Sequence, residues 1–154
     1  MRRSEIIEFL QNSQAVAVLA GRVRSAIFAE SRGRSVSHHV SYKNLPDHPN
    51  DFAADVLHIR FIARLEYIKL IVNTREFLAA QYAFFALSRD TETRLPEVVR
   101  LVQPGAVILP NREVQLSDDE EMDAADLVTI KDEVSTILIT HALTRLDEWK
   151  PEQT

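Results

Sequence analysis

The residues of this chain that could do chemistry gather in one polar stretch, residues 31–51, which contains three of the five histidines. Four of its side chains are of the types that bind transition metals: His38, His39, Asp47 and His48. Three more are of the types that contact phosphate: Arg32, Arg34 and Lys43. Adjacent histidines point to opposite sides of an extended chain, and no pair has the spacing of a helical metal site. We therefore expect no bound metal. We expect a solvated connector between two helices or, as the alternative, a surface at which Arg32, Arg34 and Lys43 contact phosphate or a partner.

Arg34 and His39 also have a spacing that suits catalysis. A histidine can transfer protons, and an arginine can stabilise a charged phosphorane, when RNA is cleaved. The segment Arg34-Ser-Val-Ser-His-His39 has the Arg-x4-His spacing of the HEPN ribonucleases and resembles their motif over six residues. The resemblance implies an all-helical fold and RNA cleavage with His39 as the acid–base group. We keep this function as an alternative and predict that the chain has no catalytic residues.

Charge is distributed unevenly along the chain, whose formal net charge is −5. Residues 1–46 contain seven basic and three acidic residues, whereas residues 117–154 contain three basic and eleven acidic ones. The overall acidity argues against a surface that binds nucleic acid everywhere, but the basic N-terminal third could still contact it. The two oppositely charged ends could also pack on each other, within one chain or between two copies.

The composition excludes several classes of protein and site. Without cysteine there is no disulfide, thiolate zinc site, iron–sulfur cluster or cysteine nucleophile. Three glycines are too few for a glycine-rich phosphate loop and argue against most turn-rich β architectures. The N-terminus lacks the apolar core of a signal peptide, and no apolar run has the length of a membrane span. We expect a cytoplasmic protein that has no cofactor and does not contact the membrane.

Hydrophobic periodicity predicts an all-α bundle of three long helices in a single helical domain, residues 1–154. The helices are predicted from Ser4 to near Gly33, from about Asp51 to Ser88, and from the capping box at Ser117–Glu120 onward. A short helix from Pro96 and a small β-hairpin at about residues 106–116 complete the predicted fold.

The predicted second helix, residues 51–88, is almost entirely apolar. Three arginines fall together on one side of its helical projection, and we expect carboxylates of the acidic run 118–126 to pair with them: Arg60, Arg64 and Arg75. Four aromatic residues in its C-terminal half are predicted to form an interface: Phe77, Tyr82, Phe84 and Phe85. His141, on the apolar face of the third helix, is predicted to be a core or interface residue.

The predicted second helix is too apolar to be covered by a bundle of three helices, and such a surface is normally an interface. We therefore expect a non-enzymatic helical interaction protein that forms a homodimer and binds a macromolecular partner, most simply another protein. The first alternative is a subunit or regulator that contacts nucleic acid through the basic N-terminal third. The second is the HEPN-like ribonuclease with Arg34 and His39.

Overall fold

The computed structural model describes residues 2–72, 74–102, 106–110 and 127–151. Its elements, in chain order, are helix α1 (Arg3–Phe28), a short 3-10 helix (Val36–His39), strands β1 (Ser41–Asn44), β2 (Phe52–Val56), β3 (Ile59–Val72), β4 (Arg75–Ser88), β5 (Thr91–Val102) and β6 (Ala106–Ile108), and helix α2 (Leu127–Thr144). The strands form one antiparallel sheet in the order β1-β2-β3-β4-β5-β6, so each strand pairs with its neighbours in sequence.

The predicted all-α bundle of three long helices is therefore wrong. Residues 51–88, predicted to be the central helix, form β2, β3 and β4, and the register of β3 on β4 runs from the Arg60–Leu87 pair to the Val72–Arg75 pair. The short helix predicted from Pro96 lies within β5. Of the predicted hairpin, Ala106–Ile108 is a strand that pairs with the end of β5, and residues 111–116 lie outside the described residues.

The alternation of side chains in β3 shows why this segment forms a strand. Phe61 and Ala63 are buried in the core beneath the helices, and the residues that alternate with them point to the opposite face of the sheet. That opposite face carries the charged side chains of Arg60, Arg64 and Glu66. An apolar side chain at every second residue suits a half-buried strand. Projection at a helical period had mixed the two faces.

Both helices pack on one face of the sheet and form the main core with it. On α1 the buried side chains are Val16, Leu19, Ala20, Val23 and Ile27, and on α2 they are Ile130, Val134, Leu138 and Ala142. The helical periodicity of these residues is the signal that predicted the first and third helices. The first helix ends at Phe28, before Gly33, and begins after an N-cap at Arg2. The capping box predicted to start the third helix lies outside the described residues.

Two-residue turns without glycine join the long strands. Val56 and Ile59 pair across Leu57 and His58, whose φ angles of 50° and 64° both lie in the left-handed region. Ser88 and Thr91 pair across Arg89 and Asp90, and Arg89 has a φ of 38°. These turns give the sheet tight hairpins in a chain with few glycines. Within the ranges that the structure describes, no helix is long and apolar enough to cross a membrane.

Candidate functional site

The stretch of residues 31–51 is more structured than the connector between two helices that the predicted bundle requires. It contains the 3-10 helix and β1. Arg32 lines a pocket between α1 and α2. Lys43 lies on β1, next to Tyr42, whose ring packs on the helix-side core, so Lys43 faces the other side of the sheet. There its Nζ lies 3.0 Å from Asp55 Oδ2. The predicted phosphate-binding residues are therefore separated, and one of them already has an acidic partner.

Arg34 and His39, the alternative catalytic pair, are both exposed, and neither has a hydrogen bond or ion pair with another described residue. The sheet also contradicts the all-helical fold that the resemblance to HEPN ribonucleases implies. His38 Nε2 lies 2.8 Å from the carbonyl oxygen of Gly33, a contact that holds the loop before the 3-10 helix. Among the residues described, no three histidine or acidic side chains come together in a way that could hold a metal ion.

Arg24, to which sequence reasoning assigned no site, organises the chain between β1 and β2. Its Nη1 donates to the carbonyl oxygens of Pro49 at 2.8 Å and Asp51 at 2.9 Å, and its Nη2 donates to Asn44 Oδ1. The guanidinium also lies over the rings of two aromatic residues, Phe28 at 5.1 Å and Phe52 at 5.9 Å. Arg24 thus ties residues 44–51 to α1 by hydrogen bonds and cation–π contacts.

Cross-strand ion pairs cover the face of the sheet opposite the helices. Arg60 Nε donates to Asp55 Oδ1 at 2.9 Å, and Arg64 pairs with Glu92. Arg60 and Arg64 therefore do pair with carboxylates, those of Asp55 and Glu92, whereas the acidic run 118–126, in which their partners were predicted, lies outside the described residues. The hydrogen bond from Arg60 holds the pKa of Asp55 below its usual range. The side chain of Arg75 lies outside what the structure describes.

A second arginine contact extends this network. Arg94 makes two hydrogen bonds to Glu66, of 2.9 and 3.0 Å, and these lower the pKa of the Glu66 carboxyl. The ring of Phe85 lies beneath both Arg64, at 4.5 Å, and Arg94, at 5.3 Å. Because Arg60, Arg64 and Arg94 each have a nearby carboxylate, these three arginines offer little free charge to a nucleic acid.

The four aromatic residues predicted to form an interface lie on two different faces of β4. Tyr82 and Phe84 are buried between the sheet and the helices, and Tyr82 Oη donates to the carbonyl oxygen of Ala20 at 3.2 Å. Phe85 lies on the opposite face under the two arginines, and Phe77 is half-buried near the β3–β4 turn. The structure therefore does not gather these side chains into one surface.

His141 links α2 to the sheet. Its Nε2 lies 2.8 Å from Glu97 Oε2 on β5, and about a quarter of each side chain is exposed, 25% and 22% respectively. Val134 and Leu138, which precede His141 on the same face of α2, are both fully buried. His141 is thus a polar residue at the rim of the core with a carboxylate partner.

The geometry that stands out is a free strand edge. β2 pairs with β3 only as far as the Phe52–Ala63 pair, whereas β3 continues to Val72. The next outward amide, Leu65 N–H, donates to Asp51 Oδ1 at 3.0 Å. Beyond it, no strand in the described part of the chain pairs with this side of β3. Residues 66–72 therefore form an open edge next to the well-paired β4.

The backbone polarity of this edge follows from the pairing. In the β3–β4 hairpin the Val72–Arg75 pair closes a two-residue turn, and Leu65 N–H points away from β4. Since backbone groups alternate in direction along a strand, the N–H and C=O groups of Tyr67, Lys69 and Ile71 also point away from β4. These six groups are the hydrogen-bonding array that another extended chain requires.

The side chains along the edge are exposed and largely apolar. Tyr67 is 51% exposed and Ile71 is 64% exposed, with the exposed Lys69 between them. On the other face of β3, Ile68 and Leu70 pack against a small apolar cluster formed by Ala79, Val102 and Ile108. The edge thus combines unpaired backbone groups with apolar side chains on both faces and one positive charge. Sequence reasoning missed it, because its chemistry lies in the main chain.

Comparisons with known proteins give no assignment: no protein-family model matches the chain, and neither a curated protein nor a solved structure matches it.

Proposed function

We propose that this protein is a non-enzymatic interaction protein that binds an extended segment of a partner polypeptide at the free edge of β3. The observation behind the proposal is the outward-pointing backbone array at Tyr67, Lys69 and Ile71, which β2 leaves unpaired. A partner strand added here would continue the antiparallel sheet and satisfy these groups.

The main-chain hydrogen bonds of such a complex would contribute enough free energy for weak binding. A backbone hydrogen bond contributes about 0.5–1.5 kcal/mol net, so six of them supply on the order of 3–9 kcal/mol before the cost of ordering the peptide. Main-chain bonds alone therefore support weak binding, and side-chain contacts must provide selectivity. The alternating faces of the edge favour a partner whose apolar residues lie on both sides of the strand.

Lys69 discriminates between partners. If two copies paired through this edge about a twofold axis at Lys69, the two ammonium groups would lie opposite each other, which is unfavourable. A partner segment with a glutamate or aspartate opposite Lys69 gains an ion pair instead. We therefore propose a different polypeptide as the occupant of the edge.

Amide hydrogen exchange tests the free edge directly. In the isolated protein the amides of Tyr67, Lys69 and Ile71 should exchange quickly, whereas those of Ile68 and Leu70, which point towards β4, should be protected. Addition of a synthetic peptide that carries apolar residues on both faces of the strand and a central glutamate should slow exchange at the first three amides. Uniform protection of the edge in the isolated protein, or no response to the peptide, would contradict the proposal.

Lys69→Pro and Lys69→Ala form a matched pair of variants that separates the outward N–H from the side-chain charge. Proline removes the outward N–H of residue 69 while the hydrogen bonds to β4, which use residues 68 and 70, are retained. Lys69→Ala removes the charge and keeps the N–H. Peptide affinity, measured by calorimetry, should fall about tenfold or more in Lys69→Pro relative to Lys69→Ala, since a lost bond and a steric clash combine. Equal affinities for two folded variants would exclude strand addition.

We propose self-association as a second property, and it needs a surface other than the predicted one, because Tyr82 and Phe84 are buried. The first turns of α1 expose Ile6, Ile7 and Leu10, with 44%, 47% and 61% of their surfaces accessible. Light scattering of the wild type should give a dimer mass that falls to the monomer mass in Leu10→Glu. A wild-type monomer at tens of micromolar, a range in which weak dimers form, would exclude self-association.

A further inference from the structure

A pocket of about 490 Å³ opens between the end of α1, the loop that follows it, and the start of α2. Its volume lies in the range of small-molecule sites. Ala26 and Leu127 provide apolar wall, and charged or hydroxyl side chains converge on the rest. The pocket shares no residue with the free edge of β3, so it is independent of the proposed function.

A chain of serine hydroxyls forms one wall. Ser37, which is 2% exposed, donates from Oγ to Ser31 Oγ at 2.8 Å and lies 2.7 Å from Ser35 Oγ. Ser35 Oγ in turn contacts Asp132 Oδ1. Because Ser31 Oγ accepts the proton of Ser37, its own proton has no acceptor among the described residues. Ser31 therefore offers a hydrogen-bond donor to the pocket.

Two cations add further donors. Lys131 Nζ donates to the carbonyl oxygen of Ala29 and keeps two more N–H groups. Arg32 is exposed and has no hydrogen bond or ion pair within the described ranges. A guanidinium, an ammonium and the Ser31 hydroxyl are the groups that bind a carboxylate.

The same pocket also attracts positive charge. The carboxylates of Glu30 and Asp132 line it, and it lies beside the C-terminal end of α1, where the helix dipole is negative. These groups oppose a phosphate dianion. They favour a ligand in which an ammonium accompanies the carboxylate.

We infer that the pocket binds a small zwitterion, either a free α-amino acid or a dipeptide. The ligand carboxylate contacts Arg32 and Lys131, and its ammonium contacts Glu30. The lining charges, two positive and two negative, sum to zero as they would for a net-neutral ligand.

Thermal shift and calorimetry with defined probes test the site. The probes are the individual amino acids, dialanine, acetate, methylamine and inorganic phosphate, each at about 10 mM to detect millimolar dissociation constants. At least one amino acid or dialanine should bind saturably and raise the melting temperature. Acetate, methylamine and phosphate should not, since each presents only one sign of charge.

Arg32→Gln and Arg34→Gln form a matched pair. Both residues are exposed in the same loop, and neither has a hydrogen bond or ion pair to another residue that the structure describes, but only Arg32 lines the pocket. Arg32→Gln should weaken zwitterion binding at least tenfold, as expected for loss of a charge-assisted hydrogen bond, and Arg34→Gln should bind like the wild type. No saturable binding of any amino acid or of dialanine, equal binding of phosphate, or equal effects of the two variants would each overturn the inference.

Discussion

The turn between β2 and β3 is held in a conformation that its residues disfavour, so a change of two residues should stabilise the protein. Leu57 and His58 have φ angles of 50° and 64°, and a type I′ turn of this kind is best formed by Asn-Gly. Both side chains are exposed, so their replacement removes no core contact. We predict that Leu57→Asn combined with His58→Gly raises the free energy of unfolding.

The size of the effect follows from the backbone. A left-handed conformation costs an L-residue roughly 1–2 kcal/mol; glycine removes this cost at position 58, and asparagine, which tolerates the conformation better than leucine, removes a small part of it at position 57. The added glycine makes the unfolded chain more flexible, which lowers the free energy of unfolding by about 0.4–1 kcal/mol. The net gain is therefore about 1 kcal/mol, which corresponds to a rise in Tm of roughly 2–4 °C for a chain of this length.

Urea unfolding followed by circular dichroism gives the free energy, and calorimetry gives the Tm. Asp90→Gly is the control, because Asp90 is also a turn residue but its φ is not positive. There glycine only adds flexibility and should lower stability by about 0.5–1 kcal/mol. If the double variant is no more stable than the parent, or if Asp90→Gly stabilises as much, the reasoning from backbone strain is refuted.

Arg24, Asp55 and Tyr82 provide three further predictions. Arg24→Ala should lower the free energy of unfolding in urea by about 2–3 kcal/mol, since it removes three hydrogen bonds and two ring contacts, and Arg24→Lys should recover only part of this loss. The pKa of Asp55 is lowered, so its carboxylate contributes stability that is present above the ordinary pKa of 3.8 and is lost as the pH falls through the folded value. This contribution is below about 1 kcal/mol because the ion pair is partly exposed. Asp55→Asn should abolish the acid-induced loss. Burial raises the pKa of Tyr82 to about 12. The stability that this shift contributes is therefore complete below pH 10 and is lost as the pH rises towards 12. In alkaline titrations monitored by tyrosinate absorbance, the free energy of unfolding of Tyr82→Phe should fall less steeply with pH than that of the wild type.

The helices could be predicted from the sequence because each presents one apolar face. Val16, Val23 and Ile27 on α1 recur at helical spacing, and all three are buried. The same holds for Ile130 and Val134 on α2. In both elements the period of the pattern is that of the structure, so local sequence and tertiary packing agree.

The central sheet could not be recognised in this way because β3 and β4 carry apolar residues on both faces. Ile62 and Ile68 point away from the helices, yet Ile62 is only 9% exposed and Ile68 packs against a second apolar cluster. These apolar residues on the second face weaken the alternation of apolar and polar residues that marks a half-buried strand. The segment then resembles a helix that is apolar on most of its surface.

The β2–β3 and β4–β5 turns gave no signal either. The scarcity of glycine argued against a β fold, but the hairpins turn at Leu57-His58 and Arg89-Asp90, whose residue types are ordinary in helices. A turn that relies on strained L-residues is stabilised by the strand pairing on each side rather than by its own sequence. Without a stop signal, periodicity alone extended a single helix from Asp51 to Ser88.

The candidate sites differ in how far the sequence could reveal them. The pocket contains Arg32, which its charge and its place in a polar loop had singled out, but Lys131 joins it from a helix about a hundred residues away in the chain.

The free edge of β3 has no side-chain motif at all, because the groups that it exposes are backbone N–H and C=O. It exists because β2 has five residues and β3 has fourteen, so the shorter strand leaves the longer one unpaired. Strand length is set by where the turns fall, and only the structure locates these turns. The proposed binding at this edge is therefore tested by experiments that probe main-chain hydrogen bonding, and we expect substitutions at conspicuous side chains such as His39 to leave it unchanged.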